Sequence, residues 1–186
     1  LAPRAGLNVV VAHAQLPSND YAWRRLCADT GAELRAVAPP PGAARRGEEW
    51  NARLMEAIDA GTALVALGNV HWADGTRFDL ERIGARAREV GAAFVVDGTQ
   101  SVGAMPLDLQ RIRPDALICA SYKVMMGPYG LGLAWYGPRL DDARPLRRKT
   151  RALVVLRHAQ ARSRRVWRDD DRRPPRPGGG VDAARW

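Results

Sequence analysis

The sequence predicts an α/β fold, a three-layer α/β/α sandwich built on a mostly parallel sheet. Three observations carry this. Short β-branched or wholly apolar runs alternate with amphipathic stretches of helical period through the first 140 residues. Several of those runs hold almost no polar residue, as strands buried on both faces do. Turn and cap residues mark each change of period. Strand–helix–strand units of this kind place parallel strands side by side, with helices on both faces of the sheet.

Each element follows from its residues. "LNVVVAHAQ" is rich in β-branched side chains and reads as the first strand. "PSND" supplies a turn, with Ser18 to Asp20 as N-cap candidates for the helix "YAWRRLCADT". Tyr21, Leu26 and Ala28 are the expected buried face of that helix, and Gly31 stands where a helix C′ glycine belongs. "AELRAVAPPP" is a strand stopped by prolines, which cannot donate to a ladder. "EEWNARLMEAIDAG" is a helix whose first-turn acids suit the macrodipole. "TALVALGNV" is a buried strand. Asp79 caps "LERIGARAREV", Gly91 ends it, and "AAFVVD" is the next buried strand. "ALICAS" and "GLGLAWYG" complete the series, with no internal repeat. Trp23, Leu26 and Trp50 form a stripe expected in the core or at a subunit contact rather than on a base-stacking surface.

The composition is that of a globular chain, 46% hydrophobic and 26% charged, and long enough for one domain with a real core. No apolar run reaches the roughly 18 residues of a membrane-spanning helix, so no membrane partner is expected. Cys27 and Cys119 are far apart in apolar segments and read as reduced core thiols, not as a disulfide or a metal pair; the expected compartment is cytoplasmic. "LAPRAGLNVVVAHAQ" has neither an initiator Met nor a signal-peptide pattern, so the chain is expected to start within a domain.

The net charge of +9 is unevenly spread. Residues 1–140 carry 15 basic and 14 acidic side chains, whereas residues 141–186 carry 14 and 6. The basicity therefore belongs to the tail. Two regions are expected: 1–140 as the folded part, and 141–186 as an Arg/Pro/Gly-rich tail that is disordered or translated out of frame. A nucleic-acid-binding arm is a third reading of the tail, disfavoured for the protein as a whole because the folded part is nearly neutral.

Chemistry is sought at the carboxyl ends of the strands, where open parallel sheets bind ligands. Asp97 and Gln100 follow "AAFVV"; Ser121, Tyr122 and Lys123 follow "ALICA"; His71 and Trp72 follow "TALVALGNV". Asp97 is either an N-cap for "GTQSVG" or a fixed anion for a ring N–H or a metal. Lys123 is one of only two lysines among 29 basic residues. An amine in a partly dry crevice becomes a nucleophile, which a guanidinium cannot. The plainer reading is a lysine reaching solvent from a strand end. "GPYGLG" is either a loop or a place where backbone approaches a ligand. His13 reads as structural, and His71 as either a packed strand-end histidine or a site residue.

"FVVDGTQSVGAMPLDL", followed by "ASYKVMMGPYGLGLAWYG" with Asp97 and Lys123 26 residues apart, resembles the class V aminotransferase family of pyridoxal-phosphate enzymes, which includes cysteine desulfurases and kynureninases. "VHWADGTRFDLERIGARAREVGA" fits the same template, and the resemblance runs from about residue 5 to 140. It implies that residues 1–140 are part of the large domain of a fold type I enzyme, with pyridoxal 5'-phosphate as cofactor and no metal. Lys123 would form the aldimine and then carry a proton at the substrate α-carbon. Asp97 would hold the pyridine nitrogen protonated, Gln100 would donate to the phenolic oxygen, Ser121 or Tyr122 would reach the phosphate, and His71 would stand beside the cofactor. The resemblance also implies an amino-acid substrate and a homodimeric parent. It places a phosphate loop upstream and a small domain downstream of this stretch. The reaction expected is transamination, desulfuration or side-chain cleavage. The alternative is a truncated or frameshifted, non-catalytic remnant of such an enzyme.

Overall fold

A computed structural model describes residues 3–140 of the chain, together with the backbone of two later strands. The elements are β1 (Asn8–Ala12), α1 (Pro17–Thr30), β2 (Glu33–Val37), α2 (Arg46–Ala57), β3 (Thr62–Gly68), α3 (Leu80–Glu89), β4 (Ala93–Asp97), α4 (Leu109–Ile112), β5 (Ala116–Ala120), β6 (Gly132–Tyr136), β7 (Ala152–Arg157) and β8 (Val166–Arg168). They form one sheet in the order β2-β1-β3-β4-β5-β6-β7-β8. β1 to β5 pair in parallel, β6 runs antiparallel to β5, β7 is parallel to β6 and β8 is antiparallel to β7. The expectation for the tail 141–186 falls mostly outside the described residues; within it, β7 and β8 extend the sheet.

Two apolar layers flank the sheet, as the predicted sandwich requires. On one face Trp50 and Leu54 of α2, Ile83 and Ala87 of α3 and Ile112 of α4 bury Val10, Val65, Phe94 and Val96. On the other, Cys27 of α1 packs on Val9, Val11, Leu64 and Ala66, with Trp23 beside it. Successive residues of one strand thus serve opposite layers, which is the period-2 alternation of a pleated strand. Trp50 is fixed further by its indole N–H, which donates to the Val37 carbonyl at 2.8 Å.

Two details of α1 differ from the sequence reading. Its N-cap is Leu16 with no side-chain cap, and Pro17 opens the first turn, where its missing N–H costs nothing. Ser18 to Asp20 therefore lie inside the helix. Its sheet-facing residue is Cys27, while Tyr21 is 67% exposed and Ala28 is also exposed. The helical phase is set by Trp23 and Cys27, four residues apart, and Tyr21 lies off that line. Asp79 caps α3 as expected, accepting from the Arg82 N–H at 3.1 Å. α4 has no counterpart in the sequence reading; Asp108 caps it by accepting from the Gln110 and Arg111 N–H groups.

The amino edge of the sheet is tied by Asp59. Its carboxylate accepts from Arg35, Asn8 and the Gly61 N–H, and the Arg35 guanidinium first, then the other two, hold it at about 2, below its ordinary 3.8. Because the folded-state value lies below the unfolded one, this contribution is complete above about pH 4 and disappears as pH falls through about 2. The Tm of the native chain is expected to fall more steeply across that window than the Tm of Asp59→Asn; equal slopes would show that the cluster contributes nothing.

Gly84 sits mid-helix in α3, where Ala usually gains about 1 kcal/mol. Here an added Cβ would stand 2.6 Å from the Ile112 carbonyl oxygen and 3.1 Å from the Phe94 ring. The clash outweighs propensity, so Gly84→Ala is expected to lower stability by roughly 1–3 kcal/mol in denaturant unfolding.

Candidate active site at the carboxyl edge of the sheet

The strand order reverses at β1, whose neighbours are β2 on one side and β3 on the other. The connections leaving β1 and β3 therefore diverge and open a crevice beyond their carboxyl ends. A small pocket fills it. Gln15, Leu16 and Asn19 wall it after β1; Gly68, Val70, His71 and Trp72 after β3; Asp97 and Gln100 after β4. Asp97, Gln100, His71 and Trp72 are thus brought together. A wider cleft between the N-termini of α2 and α3 contains none of the sequence-predicted residues.

Asp97 ends β4 at a turn, with no helix following it directly. One oxygen accepts from the Thr99 N–H at 2.9 Å, which turns the chain after β4. The other has no hydrogen-bond partner among the described residues. The turn continues as Ser101 and Val102 donate to the Gly98 carbonyl, and it carries Gln100 onto the same pocket as Asp97. Thr99 joins this turn to β5, its hydroxyl accepting from the Ala120 N–H at 3.1 Å.

His71 is buried, with both ring nitrogens facing acceptors. Nε2 lies 3.2 and 3.1 Å from the carbonyl oxygens of His13 and Ala14, and Nδ1 lies 3.0 Å from the Asp74 carboxylate. The ring packs on Trp50 at 5.0 Å. Burial pushes the Asp74 carboxyl up, but the Thr76 N–H, Arg46, the Thr76 side chain and His71 outweigh it and hold it at about 2. Trp72 is half exposed and donates its indole N–H to the Ala14 carbonyl at 2.8 Å. His13 is exposed and its backbone joins β2 through the Val37 carbonyl.

Ser121, Tyr122 and Lys123 lie one strand further on, beyond β5, and none of them lines the pocket. Ser121 is 1% exposed and its hydroxyl is shared between the Pro128 and Leu131 carbonyls, 2.9 Å from each. It closes the turn "SYKVMMGPYGL" on itself. Gly127 is needed there because an added Cβ would stand 2.7 Å from the Ser121 Cβ. Tyr122 stacks on Tyr129 with ring centroids 4.7 Å apart, and Tyr129 is 85% exposed. The Lys123 carbonyl accepts from the Met126 N–H. Its amine makes no hydrogen bond or ion pair among the described residues.

The pocket residues Gln15 and Asn19 and the carboxylate of Asp74 are absent from the sequence-based site. The strand-end rule would have reached Gln15 had it been applied to β1, which ends only three residues earlier. Asp74 meets the pocket only through its contact with His71 and carries no local signature. Among the described residues no group of three or more His, Cys, Asp or Glu could hold a metal, and no helix is long and apolar enough to cross a membrane.

Comparisons with known proteins now bear on this geometry. The family model for aminotransferase class-V matches residues 2–161, further than the resemblance read from motifs. A probable cysteine desulfurase of Methanothermobacter thermautotrophicus is 34% identical over 132 residues, covering 71% of this chain and 32% of the relative. The cysteine desulfurase of Shigella sonnei is 33% identical over 142 residues, covering 76% and 34%. The solved cysteine desulfurase of Thermococcus onnurineus NA1 superposes with a TM-score of 0.59 at 29% identity, over 67% of this chain and 30% of that one. The chain thus spans about a third of the length of the curated relatives it matches. The family match takes in every helix described and all strands but β8, and on that ground the chain belongs to the aminotransferase class-V family.

Proposed function

We propose that this chain is the cofactor-binding part of a pyridoxal-phosphate-dependent enzyme acting on an amino acid. The observation that carries it is the placement of two groups on neighbouring strands. β4 and β5 are parallel, with Asp97 in register with Ile118, so the carboxylate and the Lys123 turn leave the sheet at the same edge.

The donor set fits the group. A carboxylate with one unpartnered oxygen suits a pyridine N–H, an amide suits a phenolic oxygen, and an amine suits an aldehyde. When bound, pyridoxal phosphate supplies an electron sink for carbanion chemistry at the α-carbon of an amino acid. Asp97 would hold a proton on the ring nitrogen, aimed by its bond to the Thr99 N–H. Gln100, on the same turn, donates to the phenolic oxygen. His71 and Trp72 wall the pocket and exclude water. Of Ser121 and Tyr122, Tyr122 would take the phosphate side, because the Ser121 hydroxyl is buried and held by the Pro128 and Leu131 carbonyls. Lys123 would hold the cofactor through Nζ and would be the group to carry a proton at the substrate α-carbon.

The names of the relatives make cysteine the first amino acid to test. A sulfur-accepting thiolate is not offered by Cys27 or Cys119. They are 5% and 2% exposed, and burial pushes both thiols up, away from the thiolate a nucleophile needs. Both are free, which suits a reducing compartment, the cytoplasm in this reading. The parent enzyme is proposed to be a homodimer.

The chain is incubated with pyridoxal phosphate, reduced with borohydride, digested and weighed by peptide mass. A phosphopyridoxyl adduct is expected on Lys123 and absent from Lys123→Ala. Asp97→Ala is expected to weaken retention roughly 10- to 150-fold, the worth of a charge-assisted hydrogen bond of about 1.5–3 kcal/mol. An unlabelled native chain, or an adduct that survives Lys123→Ala at the same yield, overturns the reading.

A further inference from the structure

One wall of the pocket has an unusual support. Gln15 and Leu16 follow Ala14, which has φ of 52°, a left-handed backbone that a non-glycine residue adopts only at a cost of about 1–3 kcal/mol. Such a bend persists when its surroundings over-determine it. Here the His13 and Ala14 carbonyls point inward and meet three donor contacts: two from His71 Nε2 and one from the Trp72 indole. His71 in turn has its other nitrogen on Asp74. Asp74 is itself fixed by two bonds from Arg46, at 2.8 and 3.2 Å, and one from the Thr76 N–H at 3.0 Å. Arg46 lies over the Trp50 ring, on which His71 also packs.

The contacts form one chain: Arg46, Asp74, His71, then the β1–α1 connection. Carbonyl oxygens only accept, so the Nε2 contacts call for the N–H on that side of the ring, while Nδ1 faces the Asp74 carboxylate. Neither bond reaches solvent freely, because the ring is sandwiched beneath Trp50 and the loop. The connection held this way carries Gln15 and Leu16 opposite Asp97 and Gln100. Gln15 then passes the order on to α1 by donating to the Asn19 carbonyl at 2.9 Å, while Asn19 holds the Trp23 indole N–H.

We propose that Asp74 is a positioning residue of this pocket: anchored by Arg46 and Thr76, it orients His71 so that the ring clamps the His13 and Ala14 carbonyls and sets the Gln15–Leu16 wall facing Asp97. Only the use of the pocket rests on the proposed function; the clamp itself stands on the contacts. Asp74 touches no ligand and acts through His71.

The test is amide hydrogen exchange of the 186-residue chain without added cofactor. The reporters are the His13 and Asn19 amides, bonded to the Val37 and Leu16 carbonyls, and the Trp72 indole N–H. The internal standard is Val65 and Ala66 in β3. Asp74→Asn keeps the residue's shape but removes the anion. It is expected to raise reporter exchange about tenfold relative to the standard, as one lost hydrogen bond does, and to shift the His71 ring nitrogen resonances. Arg46→Gln is expected to act in the same direction and less strongly, and it serves if the Asp74 variant does not fold. Reporters and standard rising together, or neither rising, overturns the proposal. In a separate arm Asp74→Asn is expected to lower pyridoxal-phosphate retention by a similar factor. A native chain that binds no pyridoxal phosphate overturns the proposed function and leaves the exchange result decisive on its own.

Discussion

The parallel pairing of β1 with β3 is the constraint on which the site depends. β1 sits between β2 and β3, so the chain must leave it toward α1 on one layer, while β3 delivers its connection toward α3 on the other. No side chain creates the resulting crevice; it follows from helices departing to opposite faces. Everything at the carboxyl edge is then a matter of which polar residue each strand end happens to present. Without that pairing the β1 connection, with Gln15 and Leu16, would not face His71, Asp97 and Gln100.

Polar groups at this edge fall into two kinds. Ser121, Thr99 and Asp74 have their hydrogen bonds taken up by neighbouring backbone or side chains, and they shape turns. Asp97 and Lys123 keep capacity in reserve: one carboxylate oxygen and an amine without a partner among the described residues. Both residues are half-buried, so this capacity faces the open edge of the sheet. The opposite edge shows the structural extreme, where Asp59 collects Arg35, Asn8 and Gly61 around a single carboxylate.

Much of the architecture was legible in the sequence because its signals are local. β3 reads as buried since nothing polar interrupts "ALVAL", and α3 reads as a helix from its Asp79 cap to Gly91. Strand ends with Asp97 and Lys123 stood out by chemistry. What could not be read was non-local. Tyr21 and Cys27 differ in burial only because the sheet beneath α1 fixes the helix phase, and both are plausible on a helical wheel. The role of Asp74 depends on Arg46, 28 residues before it, and on a carbonyl of Ala14, reached through His71. For Asp97 the local reading came near: one oxygen holds a turn through the Thr99 N–H, with no helix there to cap. For the tail, 141–186, β7 and β8 add strands to the far edge, while the remainder lies outside the described residues.

The pocket's walls come from connections near residues 15, 70 and 98, joined by β1–β3 pairs such as Val9 with Leu64 and β3–β4 pairs such as Leu64 with Ala93. Each pair closes a loop of dozens of residues before it gains anything, and such closures are slow and entropically costly. The site therefore depends on long-range closures, and β1, buried along its whole length between β2 and β3, is the strand that joins its two sides. A ligand that bridges the β1 and β4 walls would act as a staple across the widest sequence gap in the sheet. Its binding energy would appear directly as resistance of the amino-terminal strand to unfolding.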